Sequence, residues 1–194
     1  MARRRRISCL FVALALLGGA LGGCGNSRTP VPRFGQPAPP NGVQVLDLPA
    51  AGVLILVPRS WVAATPSGAR LATIASGSAA ISVWSYHRTA PPPVSSSALA
   101  QARSGLLAAA RKRDPTLQLI RAAAIKLAGH PAVELDALEH ISGHLRRVRS
   151  VHVYGPGQEL VLDAYAPPSV FPRVDRAVFS PAKRSLRFQG PGAA

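Results

Sequence analysis

The sequence is poor in cysteine, in acidic residues and in aromatic residues. Two cysteines occur in 194 residues, Cys9 and Cys24, and both precede the part of the chain that has the composition of a folded domain. No disulfide can form within that later part, so its stability must come from a hydrophobic core. A chain of about 150 residues can supply one, because it buries about 68–70% of the surface that it exposes when unfolded.

The longest apolar run of the chain is too short to span a membrane comfortably. Arg3 to Arg6 precede an uncharged segment from Ile7 to Leu21. A basic start followed by a short apolar core is typical of an export signal, whereas a membrane-spanning helix needs about 20 apolar residues. The pattern predicts a signal peptide over residues 1–23 that is removed after export.

The end of this run, Leu21-Gly22-Gly23-Cys24, resembles the lipobox of bacterial lipoproteins. The resemblance implies that the Cys24 sulfur carries a diacylglycerol and that cleavage occurs just before it. It also implies a lipid-anchored protein on the extracytoplasmic face of the cell membrane. Two acyl chains give a stable anchor where one gives only marginal binding. The alternative is a retained apolar helix with a buried cysteine.

A proline-rich segment follows the cysteine. Five prolines lie between Gly25 and Gly42 among small polar residues, a composition that favours an extended tether. We therefore divide the chain into a lipidated tether over residues 24–42, a folded domain over 43–189 and a flexible tail over 190–194.

The charge balance points to anionic partners. The chain has 23 Lys and Arg against 8 Asp and Glu, and without Arg3 to Arg6 the excess is +11. For an exported protein, the expected partners are anionic lipid headgroups, cell-wall polymers or an envelope protein. Nucleic acid is not expected, because the basic residues are not interleaved with aromatic side chains.

Hydrophobic patterns in residues 43–189 predict two groups of strands. Val53 to Val57 is a continuous apolar run that predicts a strand buried on both faces. Gly77-Ser78 separates two arms of a predicted hairpin. Four further strands joined by short turns predict an antiparallel meander, over residues 117–128, 132–141, 145–154 and 159–166.

Two helices are predicted around this meander. One of Ser95 to Ser97 caps the first helix, which carries an apolar stripe through Leu99, Ala102 and Leu106 and ends at Asp114-Pro115. Ser169 is the predicted cap of the second helix. Its apolar face contains Phe171, Val174 and Val178.

The order of these elements resembles the PsbP-like fold found in small bacterial lipoproteins. The matching motifs are Val57-Pro58-Arg59-Ser60-Trp61, Gly129-His130-Pro131-Ala132 and Tyr165-Ala166-Pro167, in this order along residues 43–189. The resemblance implies an α+β domain in which an antiparallel sheet has helices on both faces. It brings no catalytic residues, since that fold serves mainly in accessory or binding modules.

Residue patterns for catalysis and metal binding are weak. The motifs His-Glu-x-x-His and Gly-x-Ser-x-Gly do not occur, and we predict no catalytic residue, metal or cofactor. Two alternatives are a metal site and a catalytic carboxylate pair formed by Asp136 and Asp163. The candidate metal ligands are His140, His144, His152, Glu134, Asp136 and Glu139.

Three arginines of one predicted strand are the candidate contact residues. Arg147 and Arg149 lie on one side of it and Arg146 on the other, and we expect them to contact an anionic surface. The predicted function is a non-enzymatic, lipid-anchored binding or accessory module. A carrier of a lipid or other apolar ligand and an envelope hydrolase are the alternatives.

Overall fold

The structure, a computed structural model, describes residues 35–189. The predicted signal peptide 1–23, the lipidation site Cys24 and the tail 190–194 lie outside the described residues. Within them the chain forms strands β1 Val43–Leu48, β2 Val53–Pro58, β3 Val62–Ala64, β4 Arg70–Ser76, β5 Ala79–His87, β6 Gln118–Leu127, β7 His130–Ile141, β8 His144–Gly155, β9 Gln158–Ala166 and β10 Arg187–Phe188.

Seven of these strands make one antiparallel sheet. Its order is β3-β4-β5-β9-β8-β7-β6, so the meander of β6 to β9 joins the β4–β5 hairpin through the β5–β9 pair. The predicted hairpin and meander are confirmed. Two-residue connections allow this topology, and Gly77, Gly129, Gly143 and Gly157 each adopt the positive φ that such tight turns require.

The other three strands form a separate small sheet in the order β1-β2-β10. Val53, Ile55 and Val57 of β2 are buried, whereas Leu56 is 40% exposed. The prediction that this run is buried on both faces is therefore wrong. Its apolar composition reflects one core-facing side and one side that the small sheet leaves partly open to solvent.

The first helix, α1 (Ser96–Arg113), has the predicted start and end. Ser95 is its N-cap and accepts a hydrogen bond from the backbone N–H of Ala98 at 3.1 Å. Asp114 is the residue at the C-terminal boundary, where Arg111, Lys112 and Arg113 suit the negative end of the helix dipole.

The C-terminal helical segment is continuous but irregular. It consists of α2 (Phe171–Val174), a π-helical turn (Asp175–Phe179) and α3 (Ser180–Ser185). The predicted cap Ser169 is not used: Val170 occupies the N-cap position without a side-chain bond. Within residues 35–189, no helix has both the length and the apolar character needed to cross a membrane.

Alternate residues of each strand in the large sheet point in opposite directions, and the two helical regions contact different sets of them. Leu99, Ala102 and Leu106 of α1 pack with a cluster formed by Val133, Leu135 and Tyr154. The C-terminal segment instead packs into the main core between the two sheets. Its fully buried members include Ile55, Ile74, Ile81, Leu160, Phe171 and Leu186.

Residues 35–42, which the sequence assigns to the tether, are bonded to the domain. The Ser78 N–H donates to the Gly35 carbonyl at 2.9 Å, and the Trp61 Nε1–H donates to the Ala38 carbonyl at 3.3 Å. Pro37 is buried. The fixed part of the chain therefore includes Gly35 and does not begin near Val43, because Trp61 and the hairpin tip provide partners that composition does not reveal.

Candidate ligand site beneath helix α1

A cavity of about 130 Å³ lies between α1 and the large sheet. Its apolar wall includes Leu106, Leu135, Val148 and Val161. Polar and aromatic side chains form the rest of the lining, among them Trp84, Tyr86, Arg113, Glu139, Ser150, His152 and Asp163.

The cavity exists because α1 carries small side chains where it crosses the sheet. Ala109 and Ala110 face it from the helix, and Ala137 faces it from β7. On the sheet, alternate residues of each strand point to this side, so Ser150 and His152 of β8 lie next to each other along the strand. Alanines on the helix leave the space that larger side chains would fill.

A chain of hydrogen bonds runs along the sheet at the cavity. Ser150 Oγ lies 3.1 Å from His152 Nε2, and His152 Nδ1 lies 2.7 Å from Glu159 Oε1. Arg88 donates to the other Glu159 oxygen at 2.9 Å, and its guanidinium lies 5.0 Å from the centre of the Tyr154 ring. We call this chain of side chains the Ser150–Glu159 relay.

The charge state of Glu159 fixes the direction of its hydrogen bond with His152. Burial favours the neutral acid, but hydrogen bonds and charge from His152 and Arg88 outweigh it and lower the pKa of Glu159. An ionised carboxylate only accepts, so His152 Nδ1 carries a proton. Burial and the nearby Glu159 charge raise the pKa of Tyr154 to about 12, so this phenol stays neutral.

Trp84 lines the cavity and has a buried indole N–H without a partner in the described part of the chain. It is 7% exposed, and its Nε1–H has no hydrogen-bond partner within residues 35–189. Buried donors are normally satisfied, since an unpaired one costs about 1–3 kcal/mol. The indole N–H therefore marks a position where a ligand acceptor atom would be stabilised.

An ion pair borders the cavity. Arg113 Nη2 lies 3.5 Å from Glu139 Oε2, and the Glu139 side chain is 4% exposed while that of Arg113 is 34% exposed. Asp163 is also buried beside the relay. The cavity thus has an apolar wall, a hydrogen-bonding wall and a charged border.

Two of the three candidate surface arginines are engaged inside the fold. Arg147 binds both oxygens of Asp136, at 2.9 and 2.8 Å, which raises its pKa. Arg149 donates to Asp175 and lies 3.4 Å from Asp136. Their guanidiniums lie 4.8 and 5.5 Å from the centre of the Phe171 ring. Both arginines therefore attach the C-terminal segment to the sheet.

The third, Arg146, lies on the other side of β8 and is 6% exposed. Burial lowers its pKa by disfavouring the charged form. Contact of Arg146, Arg147 and Arg149 with an anionic surface stays a prediction, but their side chains do not share one exposed face.

The candidate metal ligands and the carboxylate pair are separated by the sheet. Asp136 faces the C-terminal segment through its bonds to Arg147 and Arg149, whereas Asp163 lines the cavity beneath α1. The alternative that pairs Asp136 with Asp163 is therefore wrong. In residues 35–189, no three His, Cys, Asp or Glu side chains converge as metal ligands.

Sequence reasoning missed the relay and Trp84. Ser150 and His152 form a Ser-x-His pattern that places both on one side of a strand, and this spacing was a usable signal. The third member, Glu159, is found only when β8 and β9 are paired across their turn, because the Tyr154–Glu159 register brings the carboxylate to the imidazole.

Solved structures resemble this fold. The solution structure of cyanobacterial PsbP (CyanoP) from Synechocystis sp. PCC 6803 matches with a TM-score of 0.57 at 15% identity, covering 88% of this chain and 99% of that one. LpqN, involved in cell envelope biogenesis of Mycobacterium tuberculosis, matches with a TM-score of 0.56 at 19% identity, covering 77% and 93%. The chain thus has a PsbP-like fold. No family model matches it, and the curated proteins contain no significant match.

Proposed function

We propose that this chain is a lipid-anchored, extracytoplasmic binding module whose ligand site is the cavity beneath α1. The anchor is the diacylglyceryl Cys24 predicted from the lipobox, and the folded part is a PsbP-like sandwich with α1 and the C-terminal segment on opposite faces of the large sheet. The observation that carries the proposal is the cavity lined in part by Trp84, whose buried Nε1–H has no hydrogen-bond partner within residues 35–189.

The cavity favours a small, uncharged ligand with a hydrogen-bond acceptor. Its 130 Å³ corresponds to roughly four times the volume share of one water molecule. The acceptor atom would bind Trp84 Nε1, and the apolar part would contact Leu106 and Leu135. A ligand of this size is a molecule of a few heavy atoms or the terminal group of a larger one.

The volume argues against a carrier of whole lipids. Pockets for drug-sized ligands measure about 300–1,000 Å³, well above the cavity described above. A long acyl chain would require α1 to move away from β6 and β7. We therefore rank the carrier alternative below the binding module.

The Ser150–Glu159 relay favours a second candidate, an envelope hydrolase acting on esters. In the Ser-His-carboxylate arrangement, the histidine accepts the serine proton as the hydroxyl attacks a carbonyl carbon. Against this, Ser150 lies within a strand that is paired on both sides, so the neighbouring backbone N–H groups are already hydrogen-bonded within the sheet. Stabilisation of the developing oxyanion would have to come from a side chain such as Trp84.

The test is thermal unfolding of the full chain with small neutral amides, ketones and esters. Ligand at a hundred times its Kd stabilises by about 2.7 kcal/mol, which raises Tm by several degrees. Ala110→Leu fills the cavity and should abolish this rise, whereas Ala108→Leu on the exposed side of the same helix should preserve it.

Two outcomes would change the assignment. No stabilisation by any compound, or equal stabilisation of both leucine variants, would contradict a ligand site in this cavity. If an ester is instead hydrolysed by the wild type and not by Ser150→Ala, the hydrolase replaces the binding module.

A further inference from the structure

The charge of the folded domain is distributed unevenly between interior and surface. All eight carboxylate side chains of the chain lie within residues 35–189, and among them only Asp47 is exposed. Eleven lysines and arginines of the same residues are exposed. Carboxylates are thus turned inward, and the charged side chains exposed to solvent are almost all cationic.

The C-terminal segment concentrates this imbalance on one side. Its carboxylate Asp175 is bonded to Arg149, and Glu134 beneath it is bonded to Lys183 at 2.6 Å. Arg173, Arg176 and Arg184 remain exposed on the segment. We call these three residues the basic stripe.

A groove beside the segment connects the members of the stripe. Arg176 and Arg184 line an open depression of about 400 Å³ together with Arg147 and Ser180. Arg176 also borders the neighbouring depression with Arg173 and Ser169. Guanidinium groups in such a groove can donate paired N–H groups to phosphate oxygens.

The described chain begins next to this stripe. Arg173 Nη2 donates to Gln36 Oε1 at 3.0 Å, and the Gly35 carbonyl is held by Ser78. Only ten residues, 25–34, lie between Cys24 and Gly35. Fully extended, the connection from Cys24 to Gly35 spans at most about 40 Å, so an anchor at Cys24 keeps this end of the domain close to the membrane.

We propose that the basic stripe Arg173–Arg176–Arg184 docks the domain on anionic phospholipid headgroups of the membrane that carries its anchor. The inference rests on the proposed anchor, because the short connection is what brings the stripe to the headgroups. The exposed cations of α1 belong to the helix that covers the opposite face of the sheet. Docking would therefore leave α1 and its cavity facing away from the bilayer.

The test uses the lipidated full chain, purified from membranes and reconstituted in phosphatidylglycerol–phosphatidylcholine vesicles. A fluorophore is attached at Ser169→Cys beside the stripe or at Ser104→Cys on the exposed side of α1, and quenching by headgroup nitroxide lipid is measured. We expect stronger quenching at position 169, and its loss at high salt or in pure phosphatidylcholine.

Matched charge variants decide which surface docks. Each cation at an anionic surface raises partition about fivefold, so Arg173→Gln/Arg176→Gln/Arg184→Gln should lower the docking constant about a hundredfold. Arg103→Gln/Arg111→Gln/Lys112→Gln removes the same charge from α1 and should change it little. Equal effects of the two triple variants, or equal quenching at both positions, would overturn the proposal.

Failure of the anchor would be visible separately. The chain without an introduced cysteine should take up no thiol label, because Cys9 is removed and the Cys24 sulfur is a thioether. Labelling of Cys24 would contradict the anchor itself, whereas an unlabelled, membrane-bound protein with equal quenching would contradict only the docking.

Discussion

The two faces of the large sheet are built in contrasting ways. On the face toward the C-terminal segment, Phe171 and Phe179 pack with ring centres 5.4 Å apart, and carboxylates pair with Arg147, Arg149 and Lys183. On the α1 face, alanines cover a cavity with polar walls. The first face combines packed phenyl rings with ion pairs, and the second retains space between the helix and the sheet.

The difference suggests a division of the fold between stability and the proposed ligand binding. Close packing on the C-terminal side stabilises the two-sheet core. The α1 side contributes less apolar burial, since Ala110 is the one buried residue of this helix, and space remains between the helix and the sheet.

Truncation of a large side chain on each face should give the greatest contrast. Phe171 is fully buried and contacts both Phe179 and two guanidiniums. Phe171→Ala should lower the free energy of unfolding by about 3–5 kcal/mol. Leu106→Ala on the half-buried α1 side should cost less than about 2 kcal/mol, at or below the low end for leucine.

Chemical denaturation of both variants measures this contrast. Equal losses, or a larger loss for Leu106→Ala, would mean that the α1 face is as important to stability as the other, and the comparison between the two faces would fail.

A smaller effect should appear in the pH dependence of stability. The pKa of Glu159 is lowered in the folded state. The ionised Glu159 carboxylate therefore contributes fully to the free energy of unfolding above the unfolded-state pKa, and this contribution is lost as the pH falls through the folded-state pKa. Glu159→Gln should cost about 1–2 kcal/mol at neutral pH, and the difference from wild type should shrink in acid.

Urea denaturation over a range of pH checks this prediction, with Asp47→Asn as the exposed-carboxylate control. A difference between Glu159→Gln and wild type that stays constant into acid would contradict the charge state assigned to the relay.

The strands and helices of this chain could be predicted more fully than its sites. Short turns after residues 128, 142 and 156 predict antiparallel neighbours, and Ser95 is a recognisable helix cap. The π-helical turn and the docking of residues 35–42 could not be predicted, because they depend on partners distant in sequence. Arg173, for example, binds Gln36 across the tertiary structure.

Site residues were missed for a related reason. The strand arginines draw attention as charges, but Asp136 and Asp175 lie opposite them only after the sheet and the C-terminal segment pack. Trp84 has the pattern of an ordinary core aromatic residue. The missing partner of its N–H is a property of the folded environment, which no local pattern contains.

The most direct measurement follows the two indole N–H resonances in an NMR titration with small neutral amides. Trp84 and Trp61 are the two tryptophans of the chain, and the Trp61 N–H is bonded to the Ala38 carbonyl. The account predicts that a bound amide shifts the Trp84 resonance and leaves that of Trp61 unchanged. An unmoved Trp84 resonance with every amide, or equal shifts of both, would contradict a ligand site beneath α1.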